Sequence, residues 1–407
     1  MTAPDIPVER LGAGYFADPH SVHARLRAQR PVAPVVLPGG PGAWLITGYA
    51  EARAALADPR LSKHMPGWHP EPDSIIAALD LHMLNSDPPD HERLRKLVNK
   101  AFTARRVERL RPRITAITAG LLEAMPAHGG QGVQAEVDLL ASFAFPLPIT
   151  VICELLGIPA GDRDDFRTWS ATIVANAPAP EVFQAHATDM ARYFMALLAA
   201  KRREPGDDLL SALIAARDEE DSLSENELVS MAFLLLVAGH ETTVNLIASG
   251  VLALLLNPAE LARLRAEPAL INGAVEELLR YVSPVNHTTF RCAAEPVEIG
   301  GVRISRGDPV LIALSGANRD PARFGDPGRL DLGRDSAGHL AFGHGIHYCL
   351  GAPLARLEAE IAISALLARF SSISLAVPAA SLRWRPSTLI HGLESLPVRL
   401  GPVSGQG

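Results

Sequence analysis

Phe342-Gly343-His344-Gly345-Ile346-His347-Tyr348-Cys349-Leu350-Gly351 sets a single cysteine in a glycine-rich turn, and the apolar spacing Leu354, Leu357, Ile361, Ala365 that follows predicts a helix opening at Pro353. Gly343 and Gly345 permit positive φ and close approach of backbone to a flat ligand. Cys349 therefore lies just before a helix N-terminus, where backbone N–H groups and the positive end of the helix dipole favour a thiolate over a thiol. A thiolate in a protected turn is a soft metal ligand. An isolated cysteine is ordinarily a buried structural residue. The spacing Phe-Gly-x-Gly-x-His-x-Cys-x-Gly, six fixed positions in ten, argues for more than that here.

Upstream, Ser224-Glu225-Asn226-Glu227 is a capping box, and from it a helix is expected to run to Asn257, where Pro258 stops it. At ~1.5 Å per residue such a helix spans about 50 Å, enough to cross a domain. Leu228 to Leu256 carries one formal charge, Glu241. A membrane span is the obvious rival. Against it stand the lack of a second span, the acidic flank Asp218 to Asp221, and the polar cluster Gly239-His240-Glu241-Thr242-Thr243 in mid-run. Gly239 removes bulk where a ligand could approach. Thr242 can turn its hydroxyl back on the Ala238 carbonyl and loosen the helix locally, opening a slot beside a polar pair. By itself the cluster also fits a kinked core helix.

Asp87-Pro88-Pro89-Asp90 starts another helix, with Asp as cap and proline in the first turn. His91 and Arg95 then share a face at i and i+4 and could hold an anion, although such a pair is commonly just a solvated face. From His91 to Arg113 there are nine Lys or Arg against Glu92 and Glu108, a local excess of +7 in a chain of net charge −7. Either the charge keeps a helix surface soluble, or it docks an acidic partner. Glu277 and Arg280 stand at i and i+3 and can form an ion pair. Arg291 falls in an expected strand after Val285-Asn286-His287-Thr288.

The remaining elements are coarser. Val32 to Leu37 and Ala43 to Thr47 read as a hairpin, Val297 to Ile299 and Val302 to Ile304 as another turned by Gly300-Gly301, and Ser372 to Leu400 as further strands with Leu389 and Ile390 at a loop tip. Leu61 to Asn85 is irregular, a loop or lid. Arg163 to Lys201 holds two amphipathic helices separated at 176–180, and Cys153 lies on an apolar stripe of the segment Phe145 to Leu156.

Hydrophobic content of 48% with only 5% aromatics gives a core of Leu, Ala and Val, which favours helix. The fold class is therefore mainly α with a small β region, and residues 1–407 read as one domain around one site. A net charge of −7 argues against nucleic acid and anionic membranes. Three cysteines cannot form a disulfide framework, and Met1 to Arg10 lacks a signal-peptide pattern, so a cytoplasmic location is expected.

The cysteine stretch resembles the haem-binding signature of the cytochrome P-450 family, and Ala-Gly-x-Glu-Thr-Thr at Ala238 to Thr243 resembles the oxygen-binding stretch of that family's distal helix. The resemblance extends from Asp87 to Gly351. It implies the single-domain haem-thiolate fold, with haem b as cofactor and Cys349 as axial iron ligand. By the same resemblance Phe342, Gly343 and Gly351 surround the cysteine, and His91, Arg95, Arg291 and His347 hold haem propionates. Ala238 and Gly239 lie over the haem, Thr242 hydrogen-bonds the O2 being reduced, and Glu241 helps supply protons. Glu277 and Arg280 pin the segment from Asn318 to Asp331, where Leu330 replaces a commonly aromatic residue.

The implied activity is monooxygenation, one atom of O2 entering a C–H bond of a bulky apolar small molecule such as a macrolide, another polyketide or a steroid-like compound. No flavin or nicotinamide domain is recognisable, so electrons from NAD(P)H are expected through a separate ferredoxin and ferredoxin reductase. A peroxide-using haem-thiolate enzyme and a non-catalytic haem sensor are the alternatives. The acid–threonine pair speaks against the first, and the absence of a recognisable output domain against the second.

Overall fold

The computed structural model describes residues 7–65, 75, 77–102, 104–125, 135–175, 178–217 and 223–404. In chain order, β1 (Glu9–Arg10) and α1 (Pro19–Gln29) lead into the hairpin β2 (Val32–Val36) and β3 (Gly42–Ile46), followed by α2 (Tyr49–Ala57) and β4 (Leu61–Ser62). Next come α3 (Ala77–Asp80), α4 (Asp90–Ala101), α5 (Ala104–Arg109), α6 (Arg111–Ala124), β5 (Ala135–Asp138), α7 (Pro146–Leu156), α8 (Arg163–Ile173), α9 (Pro180–Arg203) and α10 (Leu209–Arg217). The long α11 (Glu225–Leu256) is followed by α12 (Pro258–Ala266) and α13 (Ile271–Val282). Strands β6 (Arg291–Ala293), β7 (Val297–Ile299), β8 (Val302–Ile304) and β9 (Pro309–Ile312) precede the short α14 (Leu314–Ala317). Helix α15 (Ala352–Arg369), β10 (Ile373–Leu375) and β11 (Pro397–Leu400) close the chain. Helix dominates, as the leucine- and alanine-rich composition requires.

Helix α11 is the axis of the molecule. The capping box forms: Glu227 N–H donates to Ser224 Oγ at 3.2 Å and Ser224 N–H to Glu227 Oε2 at 2.7 Å. Beyond that start the helix packs against α3, α7, α9, α13 and α15. Among the described residues it is the only helix long and apolar enough to cross a membrane, and 78% of its apolar window is buried inside the fold, so that apolarity serves the core.

One six-stranded sheet runs in the order β1-β2-β3-β9-β6-β4. The expected hairpin pairs Val32 with Ile46, and β9 aligns parallel to β3 with Leu45 opposite Leu311. Strand β6 lies between β9 and β4, with Arg291 opposite Val310 and Ser62 opposite Cys292. The turn between β7 and β8 has φ of 58° at Gly300 and 74° at Gly301, the doubly positive geometry of a primed turn.

Three expectations are corrected. Neither aspartate caps α4: its N-terminus has no side-chain cap, and Asp87 instead accepts from Ser62 Oγ and, at 3.0 Å, from Lys63 N–H, tying β4 to the start of that helix. Ser372 to Leu400 is not a run of strands. Only β10 and β11 form, with Trp384↔Leu393 and Val285↔Ile390 as isolated bridges, because Pro378 and Pro386 remove ladder donors. Leu61 to Asn85 is not wholly irregular, since it contains β4 and α3; residues 66–74 and 76 of it lie outside the described residues, as do 176–177 of the connector before α9 and the flank 218–222.

Glu277 and Arg280 are fully buried, with both Arg280 Nε and Nη2 donating to the carboxylate at 2.7 Å. Arg280 Nη1 donates to the carbonyls of Asn318 and Pro327, each at 3.0 Å, while Glu277 also accepts from Ser336 Oγ, Arg334 Nε and the Asp331 N–H. The pair thus clamps the segment leading to the cysteine turn. Leu330 is buried in the apolar core, and the rings against the clamp are Phe324 and Tyr281, 5.4 and 5.9 Å from the Arg280 guanidinium.

Candidate functional site

The cysteine turn is shaped by its own backbone. Gly343 and Gly345 have φ of 73° and 74°, and Cys349 N–H donates to the Phe342 carbonyl at 2.9 Å. A Cβ at Gly345 would lie 2.9 Å from the Leu56 carbonyl, so this glycine admits the end of α2 rather than a ligand. At Gly351 a Cβ would lie 3.8 Å from Cys349 Sγ, so the glycine keeps one side of the sulfur uncrowded. Phe342 braces the turn, with Tyr348 at 6.4 Å and the Arg356 guanidinium at 4.5 Å from its ring.

Burial pushes the Cys349 thiol up, against the pull of the Gly351 and Ala352 amides and of Arg95 and Arg356. The groups that favour a thiolate there are the two helix-start amides and the Arg95 and Arg356 guanidiniums.

On the cavity that Cys349 lines, α11 presents Ala238 and Thr242. Thr242 Oγ1 donates to the Ala238 carbonyl at 3.0 Å, as the sequence suggested, leaving its oxygen as an acceptor toward the cavity. Gly239 lines the same cavity and has a second use. A Cβ there would stand 2.7 Å from Ile152 Cγ1, so the glycine lets α7 pack closely on α11. Glu241 is buried and engaged: Arg385 Nη1 donates to Oε2 at 2.8 Å, Ser170 Oγ lies 3.0 Å from Oε1, and His240 Nε2 is 3.7 Å away. Burial favours the neutral acid, but Arg385, His240 and Ser170 together hold the carboxyl below its usual range. Arg385 and Ser170 were not legible in the sequence. Each reaches Glu241 across a long gap in the chain, with no local pattern to mark it.

The third wall is basic. His91 and Arg95 on α4, Arg291 on β6 and His347 in the cysteine turn all line one cavity with Cys349. The rings of His91 and His347 are 4.5 Å apart, and Arg95 donates to the Tyr348 carbonyl at 2.6 Å. Among the described residues, neither ring nitrogen of His91 nor Arg291 Nε has a hydrogen-bond partner although all three are buried. His347 is pushed down to about 2 by burial and by Arg291, Lys63, His91 and Arg95. With Asp87 as the acid acting on several of them, these basic groups outnumber the acids at one edge among the described residues, which suits an anion. Lys63 belongs to this edge and was hidden from sequence reading in an irregular segment.

The cavity between these walls measures about 430 Å³, and most of its lining is apolar, including Leu84, Phe233, Val237, Val285, Leu389 and Ile390. Among the described residues no group of three or more His, Cys, Asp or Glu could hold a metal ion.

The cytochrome P450 family model matches residues 181–376. Cytochrome P450 monooxygenase PikC of Streptomyces venezuelae is 51% identical, over 97% of this chain and 94% of its own length. The chain belongs to the cytochrome P450 family. A second relative, the 6-deoxyerythronolide B hydroxylase of Saccharopolyspora erythraea, is 47% identical over 98% of this chain and 99% of its own. The solved structure of the tirandamycin C-bound P450 monooxygenase TamI superposes with a TM-score of 0.90 at 52% identity, covering 97% of this chain and 100% of that one. This P450 is accordingly a monooxygenase of mainly α fold, and the family implies haem iron. The residues present fit that group: a cysteine sulfur lines a mostly apolar cavity, and among the described residues His91 and Arg291 offer buried nitrogens without partners that suit two propionates.

Proposed function

We propose that this P450 hydroxylates a C–H bond of a bulky apolar molecule of the macrolide, polyketide or steroid-like kind, with electrons from NAD(P)H delivered through a ferredoxin and its reductase in the cytoplasm. The observation that carries the reading is the convergence of Cys349, Thr242 and the basic edge on one mostly apolar cavity. The names of the relatives support the substrate class, since one hydroxylates 6-deoxyerythronolide B and another binds tirandamycin C. Cys349 would be the axial ligand, with Phe342, Gly343 and Gly351 shaping its turn. His91, Arg95, Arg291 and His347 would hold the propionates, and Ala238 and Gly239 would lie over the ring. The bound haem supplies the reduction of O2 by two electrons and two protons, leaving one oxygen atom for the substrate and one for water.

The chain's own part is proton delivery and exclusion of bulk water. Thr242, its proton committed to Ala238, offers an oxygen that orders a water in the cavity. Glu241, ionised beside Arg385, links that region to the partly exposed Arg385. Thr242→Ala should keep cofactor content and substrate-induced spectral shift, since it loses one small polar group. Product per NAD(P)H should fall severalfold and hydrogen peroxide should rise. The assay combines ferredoxin, reductase and NAD(P)H with saturating substrate, and a variant as tightly coupled as the parent removes Thr242 from catalysis. If no screened macrolide, polyketide or steroid shifts the haem absorption band, the substrate class is wrong.

The basic segment is partly neutralised within the fold. Arg111 pairs with Glu108 and Glu360, Arg113 with Glu154, and Arg93 with Asp90 and Glu227. Arg105, Arg106 and Arg109 are exposed on α5, which packs on α15, the helix opened by the cysteine turn. Charge reversal at Arg105 and Arg109 should weaken donor binding about tenfold at low salt, with the difference shrinking as salt rises, while substrate binding is unchanged. Unaltered donor affinity at low salt would place docking elsewhere.

A further inference from the structure

Lys63 is a buried ammonium whose acceptors are all neutral. Its Nζ donates to Thr289 Oγ1 and approaches the carbonyls of Thr289 at 3.4 Å and Phe290 at 3.3 Å, and it has no ion pair among the described residues. The Asp87 carboxylate, the acid whose charge acts on Lys63, accepts from the backbone N–H of Lys63 and from Ser62 Oγ rather than from Nζ. A buried cation with only neutral acceptors is costly: burial and the neighbouring Arg291 push the Lys63 ammonium down, with the Asp87 charge pulling the other way.

The topology explains the placement. Strand β4 pairs antiparallel with β6, Ser62 opposite Cys292, so the next step of the register brings Lys63 toward Arg291. Asp87 fixes the Lys63 backbone from the other side, and its carbonyl accepts from His91 N–H at 2.9 Å, at the head of the helix that carries His91 and Arg95. Lys63 is thereby held between the two elements that supply the basic edge, and it lines the same cavity.

We propose that Lys63, oriented by Thr289, is a further anchor of the cofactor's carboxylates on the Arg291 side, and that its charge favours the reduced iron. The proposal rests on the haem reading above. Two propionates would add to the counter-charge that Asp87 supplies to Lys63 and Arg291 from a distance, and charge-assisted hydrogen bonds to them are the strong kind. Loss of the ammonium weakens retention of the cofactor and, by removing a positive charge near the iron, shifts the ferric–ferrous midpoint to more negative potential.

The test uses haem-loaded protein and two readouts independent of turnover: the rate of haem transfer to excess apomyoglobin, and the midpoint potential from a spectroscopic redox titration. Lys63→Met is expected to release haem about tenfold faster, with a more negative midpoint, while Lys63→Arg stays close to the parent on both. If Lys63→Met does not fold, Lys63→Gln against Lys63→Arg decides, because both can donate to Thr289 and only one keeps the charge. Parental haem release and midpoint in the neutral variants, with Arg291→Met releasing haem faster, would overturn the proposal. So would weakened substrate binding with haem release unchanged, which would make Lys63 a substrate contact. A parent that takes up no haem would defeat the reading of the whole site, a result distinct from either.

Discussion

Glu277→Ala is expected to destabilise the fold by about 3–5 kcal/mol, the cost of leaving a buried charge without its partner. Arg280 and Glu277 are both fully enclosed, and the substitution leaves the guanidinium with backbone carbonyls alone while Arg334 Nε, Ser336 Oγ and the Asp331 N–H lose their common acceptor. Typical proteins have ~5–15 kcal/mol in total, so the variant should accumulate poorly and melt many degrees lower. The damage should concentrate on the segment from Asn318 to Ser336, which the clamp holds and which feeds the cysteine turn. Denaturant unfolding of parent and variant measures it. A loss below about 1 kcal/mol would mean that water replaces the pair, and that the segment is held by its apolar contacts instead.

Much of the architecture was legible because it is written locally. The capping box at Ser224, the i, i+3 spacing of Glu277 and Arg280, and the doubled glycine at Gly300 each fix geometry within a few residues, and the structure contains all three. What the sequence hid is non-local. Arg385 meets Glu241 across 144 positions and Lys63 meets Thr289 across 226, so no periodicity reports either contact. The packing use of Gly239 was hidden for a related reason, since small residues in helices serve ligands and helix packing alike: Gly239 lines the cavity and also admits Ile152. Asp87 had the composition of a cap but was drawn to Lys63 and Ser62 by the sheet's edge.

The second large effect concerns the sulfur itself. Cys153 is buried within α7, where burial pushes its thiol up to about 12, and Cys292 donates to the His64 carbonyl at 3.0 Å within the sheet. Neither lines the cavity, whereas Cys349 does. A thiolate donates electron density to iron that a histidine nitrogen does not, so the optical spectrum of the reduced carbon monoxide complex distinguishes the two ligands. The direct measurement is that difference spectrum for the parent, for Cys349→His and for the double variant Cys153→Ser/Cys292→Ser. The account predicts the strongly red-shifted Soret band of a thiolate-ligated haem in the parent and the double variant, and its loss in Cys349→His. A band that survives in Cys349→His and vanishes in the double variant would contradict it.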